Sequence, residues 1–247
     1  VELRRRPELR GTAVIVGGSP RGVVLSATYE ARAHGVRSGM SSTKARRLAP
    51  KATFLAPDFD SYTAVSKAIV AVFRSVAAVV ESASIDEAFL DLTGAVRMFG
   101  NPAQIGEYVR AVVSDEQQIT CSVGIGPTKF VAKVASRAAK PDGLIEVPPD
   151  QVARFLHPMP VEAMWGVGNA TAQKLHRLGI FTVGELANTP RTTLRPAFGP
   201  HASGMLGELA WGRDRRRVTP LEPEHSVGSQ ETFGHDTDNP DTVRREL

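Results

Sequence analysis

The chain has 247 residues, 42% of them hydrophobic, and a formal net charge of +4. A chain of this length can build two or three modules, and its modest basic excess suits a polyanionic partner. No apolar run approaches the roughly 18 residues of a membrane span, so we expect no membrane partner. The single cysteine, Cys121, excludes an internal disulfide and indicates a reducing, cytoplasmic compartment.

The first 57 residues predict a small mixed region. Three short strands are indicated, at residues 12–17, 23–27 and 52–56, with a turn at 18–22 between the first two. Two short helices are predicted between the second and third strands, at residues 28–34 and 41–49. Tyr29 and Arg32 lie one helical turn apart, so a ring and a guanidinium can act on one ligand. The planar fork of arginine suits phosphate oxygens.

A pair of adjacent acids follows a long helix that Asp58 can cap. Residues 84–91 read Ser-Ile-Asp-Glu-Ala-Phe-Leu-Asp between apolar runs, which predicts a hairpin with Asp86 and Glu87 at its tip. Two such acids repel each other and lose hydration unless a cation sits between their oxygens. Magnesium prefers such all-oxygen sites, often shared with substrate phosphates. A solvated turn explains the local pattern equally well.

A helix from residue 102 to about 115 and a strand at 119–125 come next, before a break at Gly126. The following helix carries Lys129, Lys133 and Arg137 at helical spacing, and we expect this face to be solvated. Lys140 is the better phosphate candidate, because the proline after it ends the helix and fixes the backbone.

Residues 161–180 predict a helix-hairpin-helix. Gly166 and Gly168 let the turn present backbone N–H groups to a phosphate, and the next helix adds its positive end. Lys174 on that helix is a further candidate contact to DNA. The alternative is a plain αα-hairpin whose packing residues are Met164, Leu175 and Leu178. Three more helices are predicted, at about residues 182–188, 191–197 and 201–211.

A charged segment punctuated by prolines follows at residues 213–224 and predicts a linker. Arg215 and Arg216 within it are candidate DNA contacts, with a solvated surface as the alternative. Residues 225–233 predict a single strand.

Three of these segments together resemble the Y-family translesion DNA polymerases of the DinB type. They are residues 26–32, 84–88 and 129–143, in the family's order and spacing. The resemblance implies an α+β fold with a ferredoxin-like palm, a small finger insertion, an all-helical thumb with a helix-hairpin-helix, and the start of a little-finger domain. The implied boundaries are fingers 11–57, palm 1–10 and 58–157, thumb 158–212, linker 213–224 and partial little finger 225–247.

The resemblance also implies a site and a reaction. Asp86 would be a metal ligand and Glu87 the second acid, holding two Mg²⁺ ions, with Mn²⁺ as a substitute. Tyr29, Arg32 and Lys140 would hold the triphosphate of an incoming dNTP. Two metals can stabilise the entering and leaving oxygens of a phosphoryl transfer together, so the primer–template DNA would be extended by nucleotidyl transfer.

Some parts of the family pattern are expected to lie outside this chain. They are an upstream strand that bears the first metal-binding aspartate, most of the little finger, and the peptide with which the full-length protein would bind a sliding clamp. Asp91 and Glu81 are too far along their strands to replace the aspartate. A monomer is expected.

Two alternatives remain open on the sequence. A non-catalytic protein could use the same scaffold and hairpin to grip duplex DNA. A nucleotidyl cyclase also has a palm with metal-bound carboxylates, but the helix-hairpin-helix argues against it, because a free nucleotide offers no phosphate backbone to follow.

Overall fold

The computed structural model describes residues 1–17, 21–220, 228, 233 and 236–246. The chain divides into two units, Val1–Ala64 with Glu222–Leu247 and Val65–Leu221. Among the described residues, no helix is both long and apolar enough to cross a bilayer.

Helices and strands alternate along the chain, which confirms the α+β class. The strands are β1 Val14–Val16, β2 Ser26–Ala27, β3 Thr53–Leu55, β4 Val79–Ser82, β5 Ala88–Asp91, β6 Val123–Ile125 and β7 Leu144–Glu146. The helices are α1 Glu2–Arg5, α2 Tyr29–Ala33, α3 Ser42–Leu48, α4 Phe59–Val76, α5 Val96–Phe99, α6 Pro102–Gln117, α7 Lys129–Ala138, α8 Val152–Leu156, α9 Asn169–Arg177, α10 Val183–Asn188, α11 Arg191–Ala210 and α12 Pro240–Glu246.

The first unit contains a three-stranded sheet in the order β2-β1-β3. β1 is antiparallel to β2 and parallel to β3. The strand predicted at 23–27 is shorter than expected, because Val23 forms an isolated bridge with Ser41 and the Val24 N–H donates to the Met40 carbonyl. Side-chain oxygens of Thr28 and Ser41 cap α2 and α3, so both helices begin where the sequence predicts. Most of the predicted turn at 18–22 lies outside the described residues.

The strands of the second unit form two separate pairs. β4 and β5 make an antiparallel hairpin, with Glu81 opposite Phe89. β6 and β7 are parallel, and α7 crosses between them. A Cβ atom on Gly124 in β6 would lie 2.1 Å from the Ala132 carbonyl oxygen, so only glycine lets α7 approach this closely. The strand predicted at 119–125 is confirmed only for its last three residues.

One hydrophobic core joins α7 to the helices that follow it. Phe130, Leu156, Leu175 and Leu194 are fully buried in the same cluster, so the sides of α7 and α9 that meet this core are fixed by packing. The helices predicted at 191–197 and 201–211 are confirmed as α11, interrupted at Gly199, whose φ of 77° is not helical. The strand predicted at 225–233 lies outside the described residues, apart from Gly228 and Phe233.

Candidate functional site

The acid pair lies at the tip of the β4–β5 hairpin, as predicted. The N–H groups of Ala83 and Ser84 both donate to the Glu87 carbonyl, at 2.9 and 3.1 Å, and close the loop. The Ser84 hydroxyl donates to Asp86 Oδ1 at 2.6 Å, which restrains that carboxylate. Both acidic side chains are exposed to solvent. The hairpin therefore presents two carboxylates from a short and well-bonded loop.

Glu87 already has a cationic partner. Its carboxylate forms an ion pair with the ammonium of Lys133 on α7, and the two side chains are 44% and 22% exposed. Side chains alternate along a strand, so Glu87 and Phe89 share one face of the hairpin. The ammonium of Lys129 lies 4.8 Å from the centre of the Phe89 ring, which shows that this face meets α7. In this structure the cationic partner of Glu87 is thus Lys133, and the metal predicted at the acid pair stays a prediction.

A second ion pair holds α7 against the hairpin. Lys129 Nζ donates to both oxygens of Glu81, at 2.5 and 2.7 Å, and the side chains are only 8% and 15% exposed. The Thr219 N–H donates to the same carboxylate at 2.8 Å. Burial opposes ionisation of Glu81, but these hydrogen bonds outweigh it, so the pKa of its carboxyl is lowered. The prediction of a solvated lysine face is therefore wrong for Lys129 and Lys133.

The oxygen donors at the hairpin tip suit a hard divalent cation. Two carboxylates and the Ser84 hydroxyl are available, and Mg²⁺ commonly takes one or two carboxylates, keeping water and substrate phosphates in its other positions. Over the part of the chain that the structure describes, no three His, Cys, Asp or Glu side chains gather into one ligand group. Asp91 lies opposite Val79 at the far end of the hairpin and accepts hydrogen bonds from Thr93. Two carboxylates are enough for part of a magnesium shell, and metal binding by Asp86 and Glu87 stays a prediction.

Lys140 follows α7 and is exposed. Its side chain makes no hydrogen bond or ion pair with any residue that the structure describes, so its ammonium is available to a ligand. Lys140 and the acid pair both belong to the second unit.

Tyr29 and Arg32 share one side of α2, as predicted, and both belong to the first unit. The guanidinium carbon of Arg32 lies 5.5 Å from the centre of the Tyr29 ring, and its Nε donates to the Ala27 carbonyl at 3.0 Å. These contacts restrain the Arg32 side chain up to its Nε atom and leave its two terminal nitrogens for a ligand. Tyr29 is 56% exposed, so both groups can reach a ligand in solvent.

The glycine turn before α9 has the open backbone that the prediction requires. Gly166 has a φ of 93°, and Gly168 is the N-cap of α9. A Cβ atom at either position would meet nothing within 4 Å, so the turn faces open space. Lys174 Nζ donates to the Ala197 carbonyl at 3.4 Å and lies 5.8 Å from the Phe198 ring centre. The proposed DNA contacts of these three residues stay a prediction.

The predicted linker is bonded to its neighbours over its first residues. Arg216 forms two hydrogen bonds of 2.8 Å with Asp214, and its guanidinium lies 4.2 Å from the Trp165 ring centre. Asp214 also accepts the Phe130 N–H at the start of α7, at 3.1 Å. Arg215 is exposed, with no side-chain partner among the described residues. Of the two arginines predicted to bind DNA, Arg215 is the one free to do so.

The sequence reasoning missed the roles of Lys129, Lys133 and Glu81. The sequence held a signal for these ion pairs. The two lysines are spaced i, i+4 on a helix that follows a strand, and Glu81 and Glu87 both belong to the acidic hairpin. Charges of opposite sign on two packed elements indicate ion pairs, but which face of α7 turns to the hairpin depends on the core around Phe130.

Two family profiles match the chain. That of the impB/mucB/samB family covers residues 1–137, and that of the helix-hairpin-helix motif of the same family covers residues 149–180. DNA polymerase IV of Alkalilimnicola ehrlichii is 45% identical over 242 residues, which are 97% of this chain and 68% of that protein. DNA polymerase IV 2 of Mesorhizobium japonicum is also 45% identical, over 95% of this chain and 56% of its own length.

Solved structures of related proteins match the fold of this chain. The crystal structure of DinB from Sulfolobus solfataricus matches with a TM-score of 0.81 at 30% identity, covering 88% of this chain and 64% of that one. An insertion ternary complex of Dbh DNA polymerase gives 0.80 at 30% identity, over 88% and 65%. The chain thus spans somewhat less than two thirds of these structures. With more than half of its residues inside the first profile, this chain belongs to the impB/mucB/samB family, the Y-family DNA polymerases of the DinB type.

Proposed function

We propose that the protein is a template-directed DNA polymerase that carries out translesion synthesis, joining a dNTP to a primer 3′-hydroxyl. The observation that carries this proposal is the exposed carboxylate pair Asp86 and Glu87 on a tightly bonded hairpin, in a chain of this family. Relatives named DNA polymerase IV support the activity, and a neighbour solved as an insertion ternary complex supports the substrates.

The chemistry follows from where charge develops. Y-family polymerases depend on divalent metals, and Asp86 and Glu87 would hold two Mg²⁺ ions, or Mn²⁺ in their place. The metals would supply Lewis-acid stabilisation of the entering and leaving oxygens. Asp86 is restrained by the Ser84 hydroxyl, so its carboxylate needs little reorganisation to bind a cation.

Tyr29, Arg32 and Lys140 would each contact the triphosphate. Lys140 offers an ammonium that has no partner among the described residues, and a point charge on a flexible stem suits a pyrophosphate leaving group. Arg32 offers a fork whose Nε is tied to the Ala27 carbonyl, and Tyr29 lies beside it. Charge-assisted hydrogen bonds from these cations to phosphate contribute about 1.5–3 kcal/mol each.

The duplex would be gripped without regard to sequence. N–H groups at Gly166 and Gly168 and the positive end of α9 can approach a backbone phosphate, with Lys174 on the same helix and Arg215 beyond it. Phosphate contacts fix register and orientation but read no bases, as a polymerase that copies any template requires.

We also propose an oligomeric state, a cellular compartment, a partner and a domain division for the protein. The protein would act as a monomer in the cytoplasm, where the single thiol of Cys121 stays reduced. The full-length protein would be recruited by a sliding clamp. We further propose the division into fingers 11–57, palm 1–10 and 58–157, and thumb 158–212.

Primer extension by the full-length protein, with matched variants, tests the proposed function. Asp86→Asn and Glu87→Gln should each lower the single-turnover insertion rate by at least about a hundredfold, since each removes a carboxylate charge that would hold the metal ions acting on the transferring phosphoryl group. Duplex affinity should not change, because neither acid contacts DNA. Asp115→Asn, which removes one exposed carboxylate from α6, is the control and should keep the parent rate. Near-normal extension by Asp86→Asn would refute the assignment and favour a non-catalytic DNA-binding protein.

A further inference from the structure

The ion pair between Lys133 and Glu87 joins a helix to the acid hairpin at the candidate metal site. Glu87 is one of the two carboxylates assigned to the metal, yet it is engaged by an ammonium. Asp86, beside it, has a hydroxyl partner and no cation among the described residues. The two acids therefore differ in electrostatic environment although they are adjacent in sequence.

The position of Lys133 is set by the buried contacts one turn earlier on α7. Lys129 is 8% exposed and holds Glu81 through two hydrogen bonds, while its ammonium lies over the Phe89 ring. Phe130 is fully buried on another side of the same helix. Because Lys133 is four residues after Lys129, it shares this anchored face. The Lys133 ammonium is thus brought to Glu87 by a rigid element.

We infer that Lys133 is a positioning residue, an internal counter-ion whose ammonium holds the Glu87 carboxylate. A divalent metal that binds Glu87 has to displace this ammonium or share the carboxylate with it. This inference rests on the proposed function, which makes Glu87 a metal ligand. Without the ammonium, no positive charge would offset the repulsion between Glu87 and the adjacent Asp86. With the ammonium in place, the Glu87 carboxylate is held against α7. The free energy gained when Glu87 binds a metal is then partly offset by the loss of its ion pair with Lys133.

The alternative is an ordinary surface ion pair with no link to metal binding. An exposed pair contributes about 0–1 kcal/mol to stability, and stability measurements alone do not separate the two roles. Metal affinity does separate them, because an internal counter-ion competes with the metal for the same oxygens. The competition predicts that removing the ammonium strengthens metal binding, and that it does so only while Glu87 is present.

The test is Mn²⁺ binding to the protein, followed by the electron paramagnetic resonance signal of free Mn²⁺. Lys133→Gln should bind Mn²⁺ about twofold to fivefold more tightly than the parent, the range that an ion pair of this exposure allows. Lys133→Arg retains the charge and should match the parent. Arg137→Gln is the helix control, because Arg137 donates to the Glu162 carbonyl and not to an acid. Circular dichroism checks that each variant is folded, and Lys133→Met provides a second charge-free variant.

The double variant Lys133→Gln/Glu87→Gln decides between the readings. The tighter binding should disappear when Glu87 is also neutralised, so that Lys133→Gln changes affinity in the Glu87→Gln background by less than about 1.5-fold. Equal affinity of Lys133→Gln and the parent, or the same gain in both backgrounds, would overturn the inference while leaving Glu87 as a ligand. If Glu87→Gln alone leaves Mn²⁺ affinity unchanged, or the parent binds no Mn²⁺ at millimolar concentration, the proposed metal site itself fails and the inference with it.

Discussion

Replacing Lys129 with methionine should destabilise the second unit by about 3 kcal/mol, because it leaves the Glu81 carboxylate in a largely buried place without its ammonium. Removing one partner of a buried ion pair costs about 3–5 kcal/mol in general. The lower end applies here, since the Thr219 N–H continues to donate to Glu81 and Glu81 is 15% exposed. Methionine keeps the apolar stem over Phe89, so the loss reports the charge and not the packing.

Urea unfolding followed by tryptophan fluorescence measures this loss. The chain's two tryptophans, Trp165 and Trp211, both lie in the second unit, so the signal reports that unit. For a slope of about 2–3 kcal/mol/M, the midpoint should fall by roughly 1–1.5 M. Lys67→Met on the exposed side of α4 is the control and should shift the free energy of unfolding by less than about 0.5 kcal/mol.

A double variant and one threshold make this prediction refutable. Lys129→Met/Glu81→Gln removes both charges and keeps an acceptor for the Thr219 N–H, so it should recover to within about 1 kcal/mol of the parent. A loss below about 1 kcal/mol in Lys129→Met alone would show that the pair behaves as a solvated surface contact.

Further predictions concern acid stability, helix packing and DNA affinity. The pKa of Glu81 is lowered in the folded state, so ionised Glu81 contributes to the free energy of unfolding above its ordinary pKa. This contribution is lost as the pH falls through the lowered pKa. Urea midpoints at pH 7 and pH 3.5 should therefore differ less in Glu81→Gln than in the parent. Gly124→Ala should cost about 1–3 kcal/mol, because its Cβ would meet the backbone of α7, whereas Gly168→Ala should be near neutral in thermal unfolding. Gly168→Leu should weaken binding to every duplex alike without changing the salt dependence, and equal affinity would show that the turn only packs. Arg215→Ala should flatten the log–log salt slope by about 0.9 if it neutralises one phosphate, and an unchanged slope would exclude that contact.

Local signals in the sequence were sufficient for most elements. Local patterns predicted helices at residues 28–34 and 41–49 and a hairpin over residues 84–91, and these predictions placed α2, α3 and the acid hairpin correctly. These features depend on residues near one another in the chain. The same holds for the glycine turn before α9.

Contacts between distant segments were the part that the sequence did not predict. Glu81 meets Lys129 and Thr219 across separations of 48 and 138 residues, and periodicity carries no information about such pairings. The sequence predicts a solvated side chain for Lys133, because only the packing of the core around Phe130 brings its partner Glu87 close to it. Asp214 likewise becomes a cap for α7 only after the chain has returned from the helices between them.

Single-nucleotide insertion is the most direct test of the central claim that this chain carries a metal-dependent, template-directed nucleotidyl transfer site. The full-length protein would be mixed with a primer–template and one dNTP at a time, with Mg²⁺, with a chelator, and with Mg²⁺ restored. We expect the primer to grow by the nucleotide complementary to the template base, the chelator to abolish growth and Mg²⁺ to restore it. Duplex binding without primer growth under any of these conditions would contradict the central claim.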